Sequence, residues 1–401
     1  MSGHHAGTPV RRRLWTPAYR TLTLVGLIAT LMVAVRFGTG LGPMTNMTDV
    51  FPWGTWKVFN VIVLTALGSG GYALAFVTYV MNRGRYHPLV RHGLLTSAVG
   101  YTMGAISLAT DIGRPWNIWR VFVYPHEWNL DSVLLEVAIC VTLYVAVLWI
   151  ELSPAMFEVW RNSGKKWLAD LSEKVLPVLE KSMPWVIGLG ILLPTMHQSS
   201  LGSLYLLAGH KVHPLWYTPM IPLLFLVSCW ILGYAMVIGT YILFSRRYGR
   251  PTYDETLTKL AHFMAYVILA FGVLRLGDLF WRDQFLRLFD GSWQSWLVIL
   301  ELVFVFVPGL AMLLDKSRRE RPSCMFRMSF FILAGGALYR MNAGWLAFDG
   351  GIGAVYFPSV MELIMTVGLI AVQGTIYLFI VKEFPVLTRP LEKKAQAEAA
   401  A

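Results

Sequence analysis

Cysteine is scarce in this chain, and its three copies, Cys140, Cys229 and Cys324, stand far apart with no C-x-x-C pair. The sequence therefore offers neither the ligand spacing of an iron–sulfur cluster nor a disulfide framework. Charge is thin as well: Asp, Glu, Lys and Arg make up 14% of the residues, against about 25% in soluble domains. Strict apolar–polar alternation in segments of barrel-strand length is missing, which excludes a membrane β-barrel. Histidine is short where haem would need it. His4, His5, His87, His92, His126, His210 and His213 fall in the tail or in loops, and only His197 and His262 lie in apolar segments. These two sit at different depths, so the facing imidazoles of a haem b site are not expected.

What is present is apolar: 56% of the residues and a mean hydropathy of +0.55. A span needs about 20 apolar residues, since a hydrocarbon core of roughly 30 Å is crossed at about 1.5 Å per residue. Ten stretches qualify: 21–35, 56–81, 94–111, 132–150, 184–208, 218–244, 260–281, 295–314, 325–348 and 359–381. The expected fold is all-α and integral to the membrane.

Lys and Arg resist translocation, and 25 of the 34 fall in the tails and loops on the starting side. The exceptions are Arg36, Lys57, Arg114, Arg120, Lys211, Arg275, Arg282, Arg287 and Arg340. Both termini are thus expected in the cytoplasm, and the net charge of +11 is a topology signal that needs no nucleic acid. Arg11-Arg12-Arg13 reads as a cytoplasmic anchor, because no A-x-A cleavage site follows it. Segment 168–179 has apolar residues at helical spacing and is expected to lie on the cytoplasmic interface.

A weak repeat is visible. Asp111 closes the third span and Glu136 opens the fourth; Asp278 closes the seventh and Glu301 lies in the eighth. This order suggests two four-helix bundles, spans one to four (21–150) and five to eight (184–314), joined by a cytoplasmic connection (151–183). Two appended helices (315–381) and cytoplasmic tails (1–20 and 382–401) complete the expected organisation.

Ionisable groups inside spans are costly unless paired or turned to a cavity, so they point to function. Asp111, Arg114, Glu136, His197, Gln198, Asp278, Glu301 and Glu362 gather toward the half expected to face outward. Asp111 with Arg114, and Arg275 with Asp278, have i, i+3 spacing; each either pairs structurally or serves a site. Glu136 has no partner at i±3 or i±4 in its own helix, and His197 sits in a polar run, Thr195 to Ser200, that must face protein or water. Arg91 and Tyr101 could begin a proton path, or could mark only topology and packing. Gly68-Ser69-Gly70-Gly71 allows close approach of a helix or of a flat ligand.

Several runs carry a resemblance: Phe51-Pro52-Trp53-Gly54, Gly70-Gly71-Tyr72-Ala73-Leu74-Ala75, Tyr86-His87-Pro88-Leu89-Val90-Arg91, Ser132-Val133-Leu134 before Glu136, Leu193 through Ser200, and Lys211-Val212-His213-Pro214-Leu215-Trp216. From about Phe51 to Pro358 the chain resembles the membrane subunits of hydrogenase-2-type [NiFe] hydrogenases, a branch of the NrfD and polysulfide-reductase membrane-subunit family. The resemblance implies a haem-free subunit, without an iron–sulfur cluster of its own, that exchanges electrons between menaquinone and a periplasmic iron–sulfur partner. Through that partner it would serve a [NiFe] hydrogenase large and small subunit pair at the bacterial inner membrane, as one part of a hydrogen:quinone oxidoreductase. It assigns Asp111, Arg114, Glu136 and His197 to the quinone pocket or its proton supply and raises Arg91 and Tyr101 as candidates for the proton route; Gln198, beside His197, is expected to join the pocket, with Glu136 and His197 as proton donors and Glu136 on that route. The first span lacks the Asn and His that the polysulfide-reductase branch uses, so that wall must be built differently. Anchoring of another NrfD-type oxidoreductase, or proton-coupled transport, are the competing expectations.

Overall fold

A computed structural model describes residues 8–51, 53–54, 57–252, 254–351 and 355–387. Pro52 of the Phe51–Gly54 run, Trp56 at the expected start of the second span, His4, His5 and the tail from 388 lie outside the described residues. Among the described residues ten helices have membrane-crossing length: α1 (Pro17–Thr39), α2 (Val58–Val80), α3 (His87–Asp111), α4 (Val133–Arg161), α5 (Lys166–Leu207), α6 (Ile221–Tyr248), α7 (Asp254–Trp281), α8 (Trp293–Leu314), α9 (Pro322–Met341) and α10 (Val360–Glu383). The protein is a multi-pass membrane protein, and its described residues contain no strand, only one bridge between Val212 and Phe348. Eight of the ten are apolar enough to cross by composition alone. The other two, α3 and α9, face mainly protein or carry buried polar groups such as Arg340, so lipid does not demand full apolarity of them.

The helices form two rings of four, α2–α5 and α6–α9, while α1 packs along α10 at the side. This corrects the expected bundle boundaries by one helix. Asp111 and Glu136 lie on α3 and α4 of the first ring, and Asp278 and Glu301 lie on α7 and α8 of the second. The reason is in the first helix: Gly26 and Ala29 of α1 approach Val372 and Gly368 of α10, a small-residue seam that joins helices in lipid.

Helix α2 is the wall shared by the two rings, and 89% of its most apolar stretch is buried. It is irregular: π-helical over Val58–Val63 and Phe76–Val80, with α-turns over Leu64–Leu67 and Gly70–Ala75 separated at Gly68 and Ser69. A Cβ on Gly100 would stand 3.0 Å from the Cα of Gly68, so the glycine run serves close helix crossing. The Ser69 hydroxyl spans to the Cys229 carbonyl of α6 at 2.6 Å.

Segment 168–179 is not a separate helix but the first part of the 42-residue α5, roughly 63 Å at 1.5 Å per residue, about twice a bilayer core. The loop between α4 and α5 shrinks to residues 162–165. Pro177, Pro184 and Pro194 lie inside α5 without ending it; each lacks the N–H that would return four residues back. At the Arg91 end, the segment before α1 meets the end of α10 and the residues after it: Thr8 N–H bonds the Leu387 carbonyl at 3.0 Å, and Lys382 Nζ bonds the Arg13 carbonyl at 2.9 Å.

Candidate functional site

Four helices bring polar side chains together at mid-depth. Tyr101 of α3 stands 2.9 Å from Nε2 of His197 and 2.9 Å from Nε2 of Gln198, both on α5. Gln198 Nε2 also reaches Thr65 Oγ1 of α2 at 3.3 Å. His197 Nδ1 lies 2.8 Å from the Leu193 carbonyl, an acceptor, so Nδ1 carries the proton and Nε2 accepts from the Tyr101 hydroxyl. The chain of donation thus runs from the Gln198 amide to Tyr101 to His197. Tyr144 of α4 closes the group, its ring 4.7 Å from that of Tyr101 and 5.9 Å from the imidazole. Tyr101, Tyr144, His197 and Gln198 are all 0% exposed. Each is ten or so residues from its helix end at Asp111, Val133 or Leu207, roughly 15 Å along the axis and half a bilayer core. Among the described residues the Tyr144 hydroxyl and Gln198 Oε1 have no hydrogen-bond partner, an unusual state for buried polar atoms.

Of the residues singled out from sequence, the structure brings Tyr101, His197 and Gln198 together. Glu136 stands half-buried in the first turn of α4, two turns and roughly 12 Å from Tyr144 on the same helix face; it does not touch His197. Asp111 does not pair with Arg114, which is exposed. Its Oδ2 is 2.7 Å from Lys57 Nζ at the head of α2, because Ile112-Gly113 leaves the helix and carries Arg114 outward. Arg91 grips Glu158 of α4 at the opposite end, one contact at 2.8 Å, about 15 Å from Tyr101 by helical rise. The second i, i+3 pair is also corrected: Asp278 bonds Arg282 at 2.7 Å and Thr218, whereas Arg275 turns to Glu301 at 3.4 Å.

Sequence reasoning placed His92 in a loop, yet it is fully buried in α3, with Nε2 2.8 Å from Thr240 Oγ1 and Tyr377 Oη 3.2 Å from Nδ1. Its neighbours Arg91 and His87 disguised the first turn of that helix as loop. Tyr144, Thr65 and Lys57 were also missed; a tyrosine eight residues after Glu136 is the one signal that could have found the first.

The Lys211–Trp216 run organises the second ring. His213 N–H bonds the Ala347 carbonyl at 2.8 Å, Arg282 Nη1 bonds the Pro214 carbonyl at 2.9 Å, and Trp216 Nε1 bonds Glu301 at 3.2 Å. Asn342 Nδ2 adds a bond to Glu301 at 2.9 Å. The cleft beside Glu301, lined by Ser228, Phe271 and Tyr339, has about 10 Å³ free, the room of one water. Outside the membrane, burial holds the His213 imidazole below its ordinary value; the Arg287 guanidinium acts the same way and Asp290 opposes it.

A buried hydrogen-bonded tyrosine–histidine–glutamine group inside two rings of helices defines a multi-pass membrane protein with a polar core. The chain belongs to the NrfD family: the pattern described as polysulphide reductase, NrfD matches residues 43–344. It is 36% identical over 366 residues, 90% of each chain, to the probable Ni/Fe-hydrogenase 2 b-type cytochrome subunit of Escherichia coli. It is 33% identical over 166 residues, 41% of this chain and 38% of the other, to the integral membrane subunit of menaquinone reductase from Nitratidesulfovibrio vulgaris. A selenate reductase subunit of Mesobacillus selenatarsenatis is 24% identical over 276 residues, covering 63% of this chain and 62% of the other.

Proposed function

We propose that this chain is the quinone-reactive, haem-free membrane subunit of a [NiFe] hydrogenase complex in the bacterial inner membrane, with both termini in the cytoplasm. The observation that carries the reading is the mid-membrane group of Tyr101, His197 and Gln198, taken with 90% coverage by the hydrogenase relative. The polar atoms left without partners, the Tyr144 hydroxyl and Gln198 Oε1, are a donor and an acceptor, the two functions a quinone carbonyl and a quinol hydroxyl need. A bound quinone supplies the two-electron, two-proton redox chemistry; the protein orients it and manages the protons.

In this reading a periplasmic iron–sulfur partner docks at the Asp111 end and delivers electrons. Asp111 and Arg114 stand toward the mouth, Glu136 passes protons from that side, and His197, protonated at Nδ1, takes up and returns a proton at Nε2 through the Tyr101 hydroxyl. The alternative supply begins at Arg91 and reaches Tyr101 from the cytoplasm. On this reading the subunit is haem-free, as the family resemblance implies. A reduced-minus-oxidised spectrum of the purified subunit tests this: a b-type haem band would overturn it.

Hydrogen-dependent menaquinone reduction in membranes carrying Glu136→Gln or His197→Ala, with assembly measured separately, tests the main reading. Both variants are expected to lose turnover while retaining the complex; wild-type rates in both would remove these residues from the mechanism. The selenate and menaquinone reductase relatives favour a second reading, in which the partner is another cluster-bearing enzyme. Purification of the intact complex separates the two by the identity of the bound subunits.

A further inference from the structure

Arg340, in the last turn of α9, is 0% exposed and ties the two rings together. Its Nη1 donates to the Ile62 carbonyl in the π-helical start of α2 at 2.9 Å, and its Nη2 to the Phe225 carbonyl of α6 at 2.7 Å. Nε and Nη2 both reach the Ser228 hydroxyl, at 3.3 and 3.2 Å, and the guanidinium lies 4.6 Å from the Phe225 ring centroid. Among the described residues no carboxylate lies within ion-pairing distance of it: Glu301, on the next helix of the ring, is taken by Arg275, Trp216 and Asn342.

Other buried cations are placed differently. Arg36 bonds the Ile112 carbonyl just past the end of α3, Arg319 bonds carbonyls at the end of α8, and Lys382 bonds the segment before α1. Those groups cap chain ends near the membrane boundary. Arg340 bonds carbonyls within helices and has no counter-charge among the described residues, an arrangement that lipid penalises unless something uses the charge. One turn beyond Ile62, α2 presents Thr65 to Gln198.

We propose that Arg340 is a positioning residue whose fixed positive charge stabilises negative charge arising at the Tyr101–His197–Gln198 group when that group gives up a proton, and whose fork pins the π segment of α2 beside it. This rests on the quinone reading above for what moves the proton. The other titratable groups packed around the cluster are Tyr144 of α4 and, through Thr195, Tyr72 of α2, with Cys229 of α6 held by Ser69 of α2; tyrosine and cysteine are ordinarily neutral near pH 7. Glu151 of α4 lies farther toward the Arg91 end and acts on Tyr144. A preorganised charge in a water-poor site is effective because nothing must rearrange when the proton moves.

The test uses the complete hydrogenase complex in proteoliposomes, with hydrogen-dependent menaquinone reduction followed from pH 5.5 to 9. Arg340→Gln is expected to lose at least tenfold in rate at pH 7 and to move the pH profile toward alkaline values by about a unit. Arg340→Lys, which keeps the charge without the fork, is expected to keep the wild-type profile at a lower rate. Ser228→Asp, which sets a carboxylate against an intact guanidinium, is expected to reproduce the alkaline shift and serves if Arg340→Gln does not assemble. Wild-type pH profiles in both Arg340→Gln and Ser228→Asp would overturn the proposal and leave Arg340 a structural pin. Failure of the wild-type complex to reduce quinone at all would instead refute the functional reading on which the inference rests.

Discussion

The indole N–H of Trp216 ends 3.2 Å from Oε2 of Glu301, a residue 85 positions away in the chain. The loop between the two rings thereby supplies a donor to the buried acid of the second ring, and Pro214 in the same run receives Arg282. Trp216→Phe keeps the ring in its fully buried niche but strips one donor from the carboxylate. A hydrogen bond to a charged group contributes about 1.5–3 kcal/mol, so a lower unfolding temperature in detergent is expected, with Asn342→Ala behaving alike. An unchanged transition in both variants would show that Glu301 does not depend on these donors.

Tyr101→Phe removes a single oxygen at which His197 and Gln198 meet. The ring contacts with Tyr144 and His197 survive the change, so assembly should be normal. Loss of a positioned proton donor typically costs about 10²–10⁴-fold in rate, and hydrogen-dependent quinone reduction is expected to fall at least a hundredfold. Tyr144→Phe makes the contrast. Its hydroxyl has no partner among the described residues, so the protein should not be destabilised, and a raised KM for quinone is expected if that hydroxyl meets the ligand. An active Tyr101→Phe complex would take the cluster out of the chemistry.

Asp111 is buried and paired with Lys57, whose side chain is 30% exposed. Breaking a fully buried pair costs about 3–5 kcal/mol; partial solvation of Lys57 reduces this, and about 1–3 kcal/mol is expected for Lys57→Ala. Arg114→Ala should stay within about 0.5 kcal/mol, since the side chain is exposed. Thermal unfolding of the two variants compares them directly. Equal losses would restore the Asp111–Arg114 pairing that the sequence spacing suggested.

Why some of this was legible and some was not has a physical cause. Runs of apolar residues report contact with lipid, so the existence and order of the ten helices were readable, whereas several ends were not: α4 runs on to Arg161 and α5 begins at Lys166, well before the expected residue 184. Membership of a ring is a matter of which faces touch, and α1 looked like a ring helix until Gly26 and Gly368 placed it against α10. Intramembrane polarity flagged His197 and Gln198 because lipid excludes them, and Tyr101 stood as one possible start of a proton path, a reading the resemblance strengthened. Their meeting point could not be read, because it depends on helix rotation and on the break at Gly68 and Ser69. Spacing rules favoured Asp111 with Arg114 and Arg275 with Asp278, but they assume a helix that continues and partners on one helix alone. Lys57 and Glu301 reach across helices, and Arg340 had been counted only as a cation on the minority side.

His213 gives the clearest pH dependence outside the membrane. Its Nδ1 accepts the Leu215 N–H at 3.3 Å, a bond only the neutral ring can make, and burial holds its pKa below the ordinary 6.5. The unfolded chain therefore binds a proton at higher pH than the folded loop does. Above about pH 6.5–7 the group costs nothing; as the pH falls through that value the unfolded state gains a proton first, and stability declines. Amide hydrogen exchange of segment 209–220, corrected for intrinsic rates, should accelerate between pH 7.5 and 5.5 in the wild-type protein. His213→Gln, which does not titrate, should flatten that response without changing exchange in α6. A His213→Gln variant with the same acid sensitivity as wild type would move the titrating group elsewhere in the loop.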